Sequence, residues 1–256
     1  MPELHFDNPP VVEVIFGLEF PTLQGWKIPH FGIYWHTVRD DFPNCEVAQP
    51  IVSQPTVALL TVPQVRCLYA NAGQQKVVQI QGDHFYYNWR KATPEDSYPE
   101  YDVIRPLFDE EWLRFQKFLG TEKINSPTIT SCELTYINHL RKGSEWETFA
   151  DLSDVFEIVK KNSITESQLL EQFVYAMTLP LSGASGSITV QINPGLLMPT
   201  ATEIVQFTLT VKGRPVTPDP NGISEWFDTA HNAIRTNFYE ATTRSMHKLW
   251  GLKEGK

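Results

Sequence analysis

The stretch VVEVIFGLEF, Val11 to Phe20, decides how the chain is read. Val12, Val14, Phe16, Leu18 and Phe20 are apolar, while Glu13 and Glu19 fall on the alternate positions. Side chains of a β-strand point to opposite faces in turn, so a period of two predicts a strand with one buried face. Pro9 and Pro10 suit an entry that has not yet joined a hydrogen-bonded ladder. A second stretch, ELTYINHL from Glu133, aligns with EVIFGLEF from Glu13 without a gap. Val14 then matches Leu134, Phe16 matches Tyr136 and Phe20 matches Leu140.

Outward from Val11–Phe20 the pattern changes period. Phe31, Tyr34, Trp35 and Val38 lie at helical spacing and Pro43 follows, which predicts a helix over Pro29–Asp41. Strands are predicted at Thr56–Val62, Val65–Asn71 and Lys76–Lys91, with NAGQQ as a reverse turn and GDH as a bulge or tight turn. Short links between neighbouring strands favour an antiparallel meander. Phe108, Trp112, Phe115 and Leu119 then mark an amphipathic helix, with Gly120 at its C′ position.

The second half repeats this order. A strand at Ile129–Leu140 is followed by a predicted helix from Ser144 to Lys161, capped by Ser144 or Thr148. Three strands follow, at Leu170–Leu181, Gly186–Gly195 and Glu203–Gly213. A long final helix, capped by Ser224, carries the stripe Trp226, Phe227, Ala230, Ile234, Phe238 and Ala241. VQIQGD from Val78 also matches VQINPG from Val190. The fold expected is α+β: a duplicated strand-helix-three strands-helix unit forming an antiparallel sheet with helices on one face. Residues 1–125 and 126–256 would be the two repeats of one compact structural unit, with the other sheet face open.

Totals narrow the function classes. The chain has 256 residues, enough to bury a sizeable core. Its formal net charge of −9 argues against a surface built to grip phosphates or anionic membranes. Cys45, Cys67 and Cys132 are scattered and odd in number, which predicts reduced thiols rather than a disulfide framework. The opening residues carry no basic-then-apolar leader, so a cytoplasmic location is expected.

NPPVVEVIFGLEF, VVQIQGDHFYYNWRK, YPEYDVIRPLFDEEWLRFQKFL and LTYINHL, in this order, resemble a divergent, sporadically distributed bacterial family of about this length. The resemblance spans nearly the whole chain, and the positions that match are Asn88, Trp89, Arg90, Tyr136 and Asn138. The family has no established activity, cofactor or catalytic residues. The resemblance implies a bacterial or phage setting, and the sporadic distribution implies mobile or defence-associated genes, toxin–antitoxin loci among them.

Motifs of catalysis are missing from the sequence. No HExxH, P-loop or G-x-G-x-x-G is present. His36 and Asp40 stand one helical turn apart without an evident third ligand, so they read as a solvated helix face and no metal is expected. GASGS, Gly183 to Ser187, is not a nucleophile elbow and reads as a hairpin loop. The acids Asp109, Glu110 and Glu111 are explained by the dipole at a helix N-terminus. No catalytic residue or cofactor is assigned, and a non-enzymatic protein is favoured over a hydrolase or nuclease.

HFYYNWRK, His84 to Lys91, carries the candidate site. Alternation sends Phe85, Tyr87 and Trp89 toward a helix-covered core. It sends His84, Tyr86, Asn88 and Arg90 to the open face, where Tyr and Arg suit recognition of a partner protein or small ligand. Tyr136 and Asn138, from the matching strand of the second half, are expected to extend that row. Base stacking on such a surface ranks below these readings because the chain is acidic.

Overall fold

The computed structural model describes residues 4–51, 65–159, 172–182 and 185–254. It is an α+β fold of antiparallel strands and helices. The predicted strand Thr56–Val62 lies outside the described residues, as do the ends of two other predicted elements that reach into 160–171. No described helix is long and apolar enough to cross a membrane.

The chain divides into two compact units. The first comprises Val14–Glu133 and Arg214–Ser224; the second comprises Met1–Glu13, Leu134–Gly213 and Glu225–Lys256.

In the first unit, β2 (Val11–Glu19) leads to α1 (Ile28–Val38), then to β3 (Asn44–Ala48), β4 (Arg66–Ala70), β5 (Lys76–Gln81), β6 (His84–Arg90) and α2 (Tyr101–Thr121). Its strand order is β3-β4-β5-β6-β2, with β2 entering from the second unit at Val14. The alternation of β2 is observed: Val14, Phe16, Leu18 and Phe20 are all buried. Phe16 stacks on Phe108 of α2 with ring centroids 5.2 Å apart, and Phe85 of β6 stacks on Phe115 at 5.3 Å. Tyr34 of α1 meets Phe118 at 5.2 Å, so both helices close over one aromatic core. The GDH stretch is a tight turn: Gln81 pairs directly with His84, leaving only Gly82 and Asp83 between β5 and β6. β3 is an unforeseen strand. It is a short edge strand with an exposed middle, so it carries no apolar alternation to read.

α2 does not end at Gly120 as expected. Lys123 takes the left-handed turn at φ 58°, Ile124 N–H bonds to Leu119 C=O at 2.8 Å, and Lys123 N–H bonds to Gly120 C=O at 3.2 Å. This is a Schellman closure with lysine where glycine is usual. Gly120 therefore lies inside the helix, and a Cβ there would meet nothing within 4 Å. Gly120→Ala and Lys123→Gly are each expected to raise the unfolding free energy by about 1 kcal/mol, read from urea midpoints.

In the second unit, β1 (Leu4–Phe6) pairs with β11 (Leu252–Glu254), and β7 (Ser131–Arg141), β10 (Thr202–Gly213), β9 (Ser187–Leu197) and β8 (Tyr175–Pro180) lie in that order. Among the described residues, the predicted helix from Ser144 is reduced to a 3-10 turn at Phe149–Asp151 and one α-turn, α3 (Leu152–Val155). Asp151 accepts the Thr148 N–H at 2.7 Å, which sets Thr148 rather than Ser144 at its start.

The long final helix also differs from expectation. α4 (Pro220–Ala241) starts four residues before Ser224, because Asp219 Oδ1 accepts the N–H groups of Asn221 and Gly222, each at 3.0 Å. Asp followed by Pro at the first helical position is a strong start signal. The helix stops at Ala241, where Thr242 donates to Phe238 C=O at 2.7 Å, and α5 (Arg244–Leu249) restarts with Thr243 as its cap. The stripe is as predicted: Trp226, Phe227, Ala230, Ile234, Phe238 and Ala241 are all buried. Phe238 stacks on Phe207 of β10 at 5.8 Å.

Candidate functional site

β6 divides the aromatic stretch between two faces, as alternation requires. Phe85 points to α2, with its ring 5.2 Å from Trp112. Tyr87 is buried on the same side, and Trp89 packs edge-on against Tyr98 at 5.7 Å.

The opposite side carries a chain of polar bonds. Arg66 Nη1 donates to Gln79 Oε1 at 3.2 Å, and Gln79 Nε2 donates to Asn88 Oδ1 at 2.8 Å. Further along the same β5–β6 ladder, Gln81 Nε2 donates to Asp83 Oδ1 at 2.8 Å, and His84 Nδ1 lies 2.6 Å from the same oxygen. Burial opposes ionisation of Asp83, but the bonds from His84 and Gln81 outweigh it and hold the carboxyl below its usual range. Gln81 also grips the main chain at Ile51: its Oε1 accepts the Ile51 N–H at 2.8 Å and its Nε2 donates to Ile51 C=O at 2.9 Å.

Tyr86 lies parallel to the His84 ring, with an interplanar angle of 9°. Its ring passes directly over Gly17 of β2, where a Cβ would stand 2.3 Å from Tyr86 Cε1. Burial raises the Tyr86 phenol pKa, and Glu133 and Glu19 add to the effect.

These positions correct the expected open row. His84 and Asn88 are 1% exposed and Tyr86 is 5% exposed, leaving only Arg90 half-buried. The polar side chains of β4–β6 bond to one another and to the Ile51 backbone, so they form an internal polar layer with Arg90 at its rim. Tyr136 and Asn138 do not face an open surface either. In the second unit Tyr136 Oη lies 3.1 Å from His231 Nδ1 of α4, and Asn138 Nδ2 donates to Phe207 C=O at 3.0 Å. Burial, followed by the charge of Arg235, lowers the His231 pKa to about 3, so its imidazole is neutral in this core. The alignment of Phe16 with Tyr136 already held the clue, since Phe16 is a core residue of its own strand.

No family model matches the chain, and no curated protein matches it.

A second polar group escaped the sequence reading. Asp109, Glu110 and Glu111 do not sit at a helix N-terminus, because α2 begins at Tyr101. Glu111 is buried in mid-helix, with Arg114 Nη1 3.6 Å from its Oε2. Arg114 also pairs with Asp41 at 2.9 Å. Burial raises the Glu111 pKa to about 7, although Arg114 pulls against the shift. Cys67 and Cys132 are buried free thiols, whereas Cys45 is exposed. Burial pushes the Cys132 thiol up to about 12, which removes it as a nucleophile near neutrality.

Proposed function

We propose that the protein is a non-enzymatic binding protein of bacterial or phage origin. Its polar layer on β4–β6 takes an extended segment of a partner protein, or a small ligand with an amide or carboxyl group, in exchange for the chain's own Ile51 backbone. His84, Tyr86 and Asn88 order the layer, and Arg90 meets the ligand at its rim. Tyr136 and Asn138, packed against α4, stand apart from this site. The observation that carries the reading is the Gln81–Ile51 pair. One side-chain amide satisfies both the N–H and the C=O of a single residue, which is how an extended chain is recognised through its backbone. The hydrogen-bonded neighbours hold Gln81 and His84 in place, so little ordering entropy is lost on binding.

The test is binding of the purified chain to a displayed library of extended peptides. Gln81→Leu and Arg90→Ala are each expected to weaken the selected peptides about tenfold or more, the loss of one to two good hydrogen bonds. Circular dichroism should remain native. Undiminished binding by both folded variants sinks the site.

A further inference from the structure

β8 is the last strand in the order of the second unit, so one of its edges is left over. The register shows which groups lie on that edge. Leu181 N–H bonds to Gly186 C=O at 3.0 Å, one step beyond the Pro180–Ser187 pair. Hydrogen-bonded and non-hydrogen-bonded pairs alternate along an antiparallel ladder. Leu179, Met177 and Tyr175 therefore bond to β9, while Ala176, Thr178 and Pro180 turn their main-chain groups outward. Thr178 Oγ1 lies 3.0 Å from Thr189 Oγ1, which suits a non-hydrogen-bonded pair with its closer side chains. Ala176 and Thr178 are exposed, and no strand flanks them among the described residues.

Charge is a common guard for such an edge. β3, the edge strand of the first unit, has the exposed Glu46 at its centre. β8 has no equivalent. From Gln172 to Thr202 there is no Asp, Glu, Lys, Arg or His, although 20% of the chain is charged. Apolar side chains stand uncovered here as well, Val174 at 58% and Leu179 at 39% exposure.

We propose that β8 pairs antiparallel with β8 of a second copy of this chain. Two copies carry −9 each and repel, and the charge-free strand lets them meet without a like-charge contact. A twofold axis at Met177 sets Ala176 opposite Thr178 of the second copy, where their outward N–H and C=O groups exchange bonds. Tyr175 then falls opposite Leu179 of the second copy, and Met177 opposite Met177. These side chains share a face with the buried Ile188, Val190 and Ile192, so the pairing carries that apolar row across the axis. Pro180 has no N–H to offer outward and ends the ladder. Each chain has one β8, so the symmetric pair closes as a dimer.

Sedimentation equilibrium across a concentration series tests this, and a reversible monomer–dimer equilibrium is expected. Ala176→Pro removes an N–H that β9 does not use. Circular dichroism should stay native while the dimer dissociation constant rises about tenfold or more. Ala176→Lys leaves the backbone intact and brings two like charges together across the axis. It should weaken the dimer to a similar degree, and added salt should restore part of the loss. A chain that stays monomeric up to about 1 mM overturns the proposal. So does a dimer that neither folded variant weakens.

Discussion

Gly17→Ala is expected to destabilise the protein by about 3 kcal/mol, at the upper end of the cost of overpacking a filled site. In an ordinary strand the same change is favourable, because glycine loses more backbone freedom on folding than alanine. Here the new methyl would stand 2.3 Å from Tyr86 Cε1 and 2.7 Å from Cδ1. These are ring atoms in mid-side-chain, and the ring is held by the parallel His84 on one side and by burial around it. Tyr86 therefore cannot swing aside without breaking the polar layer. A double-mutant cycle isolates the cause. In a Tyr86→Ala background the added methyl meets no ring, so Gly17→Ala should become neutral or slightly stabilising. Urea midpoints of the four proteins measure the coupling. Equal losses in both backgrounds would show that the glycine is needed for its backbone and not for the ring.

The parts legible in the sequence are those where one interaction dominates. Alternation in Val11–Phe20 and in Phe85, Tyr87 and Trp89 reports burial against helices, and the structure has these rings in the core. The stripe of α4 is legible for the same reason. What alternation cannot report is whether the second face of a strand is wet. His84, Tyr86 and Asn88 are polar-rich, so they look solvent-facing, but polar residues are also buried wherever they satisfy each other. Gln79 and Gln81, on the neighbouring strand, supply that satisfaction, and their pairing depends on a register set by the Gly82–Asp83 turn. Tyr136 and Asn138 were misplaced for a simpler reason. The duplication carries them into the polar row as residues of the matching strand, although their alignment with β2 puts them on the core side.

Glu111 illustrates the opposite failure. On sequence alone a helix start explains its acidity, yet Ile104, Phe108, Phe115 and Phe118 step through α2 at intervals of three, four and seven. Position 111 completes that stripe, three residues after Phe108 and four before Phe115. A carboxyl on the apolar stripe of a helix is the signal that composition alone hides.

That placement makes stability fall as pH rises from about 4.5 to about 7, the Glu111 pKa values before and after folding. Within this window the native state keeps a proton that the unfolded chain has released, so unfolding liberates it. The group's contribution is complete below the lower value and is lost as pH passes the upper one. The groups facing it are Tyr34 on α1, Tyr87 on β6, Arg114 and Glu110 on α2, Asp41 just beyond α1, and Lys76 on β5. Arg114 limits the penalty, and partial solvent contact screens it, leaving a cost on the order of 2 kcal/mol above neutrality. Glu111→Gln keeps the shape and a polar end but cannot ionise. Relative to the native protein, it should gain about 2 kcal/mol at pH 8 and almost nothing at pH 4. Arg114→Met should act in reverse. It removes the arginine 3.6 Å from the carboxyl, leaves only the weaker pull of Lys76, and steepens the loss of stability toward alkaline pH. Urea midpoints collected across this range give the difference directly, since all other titrating groups are shared. Parallel pH profiles for the native protein and Glu111→Gln would mean that Glu111 ionises normally in the folded state, and that the arginine is a full counterion for it.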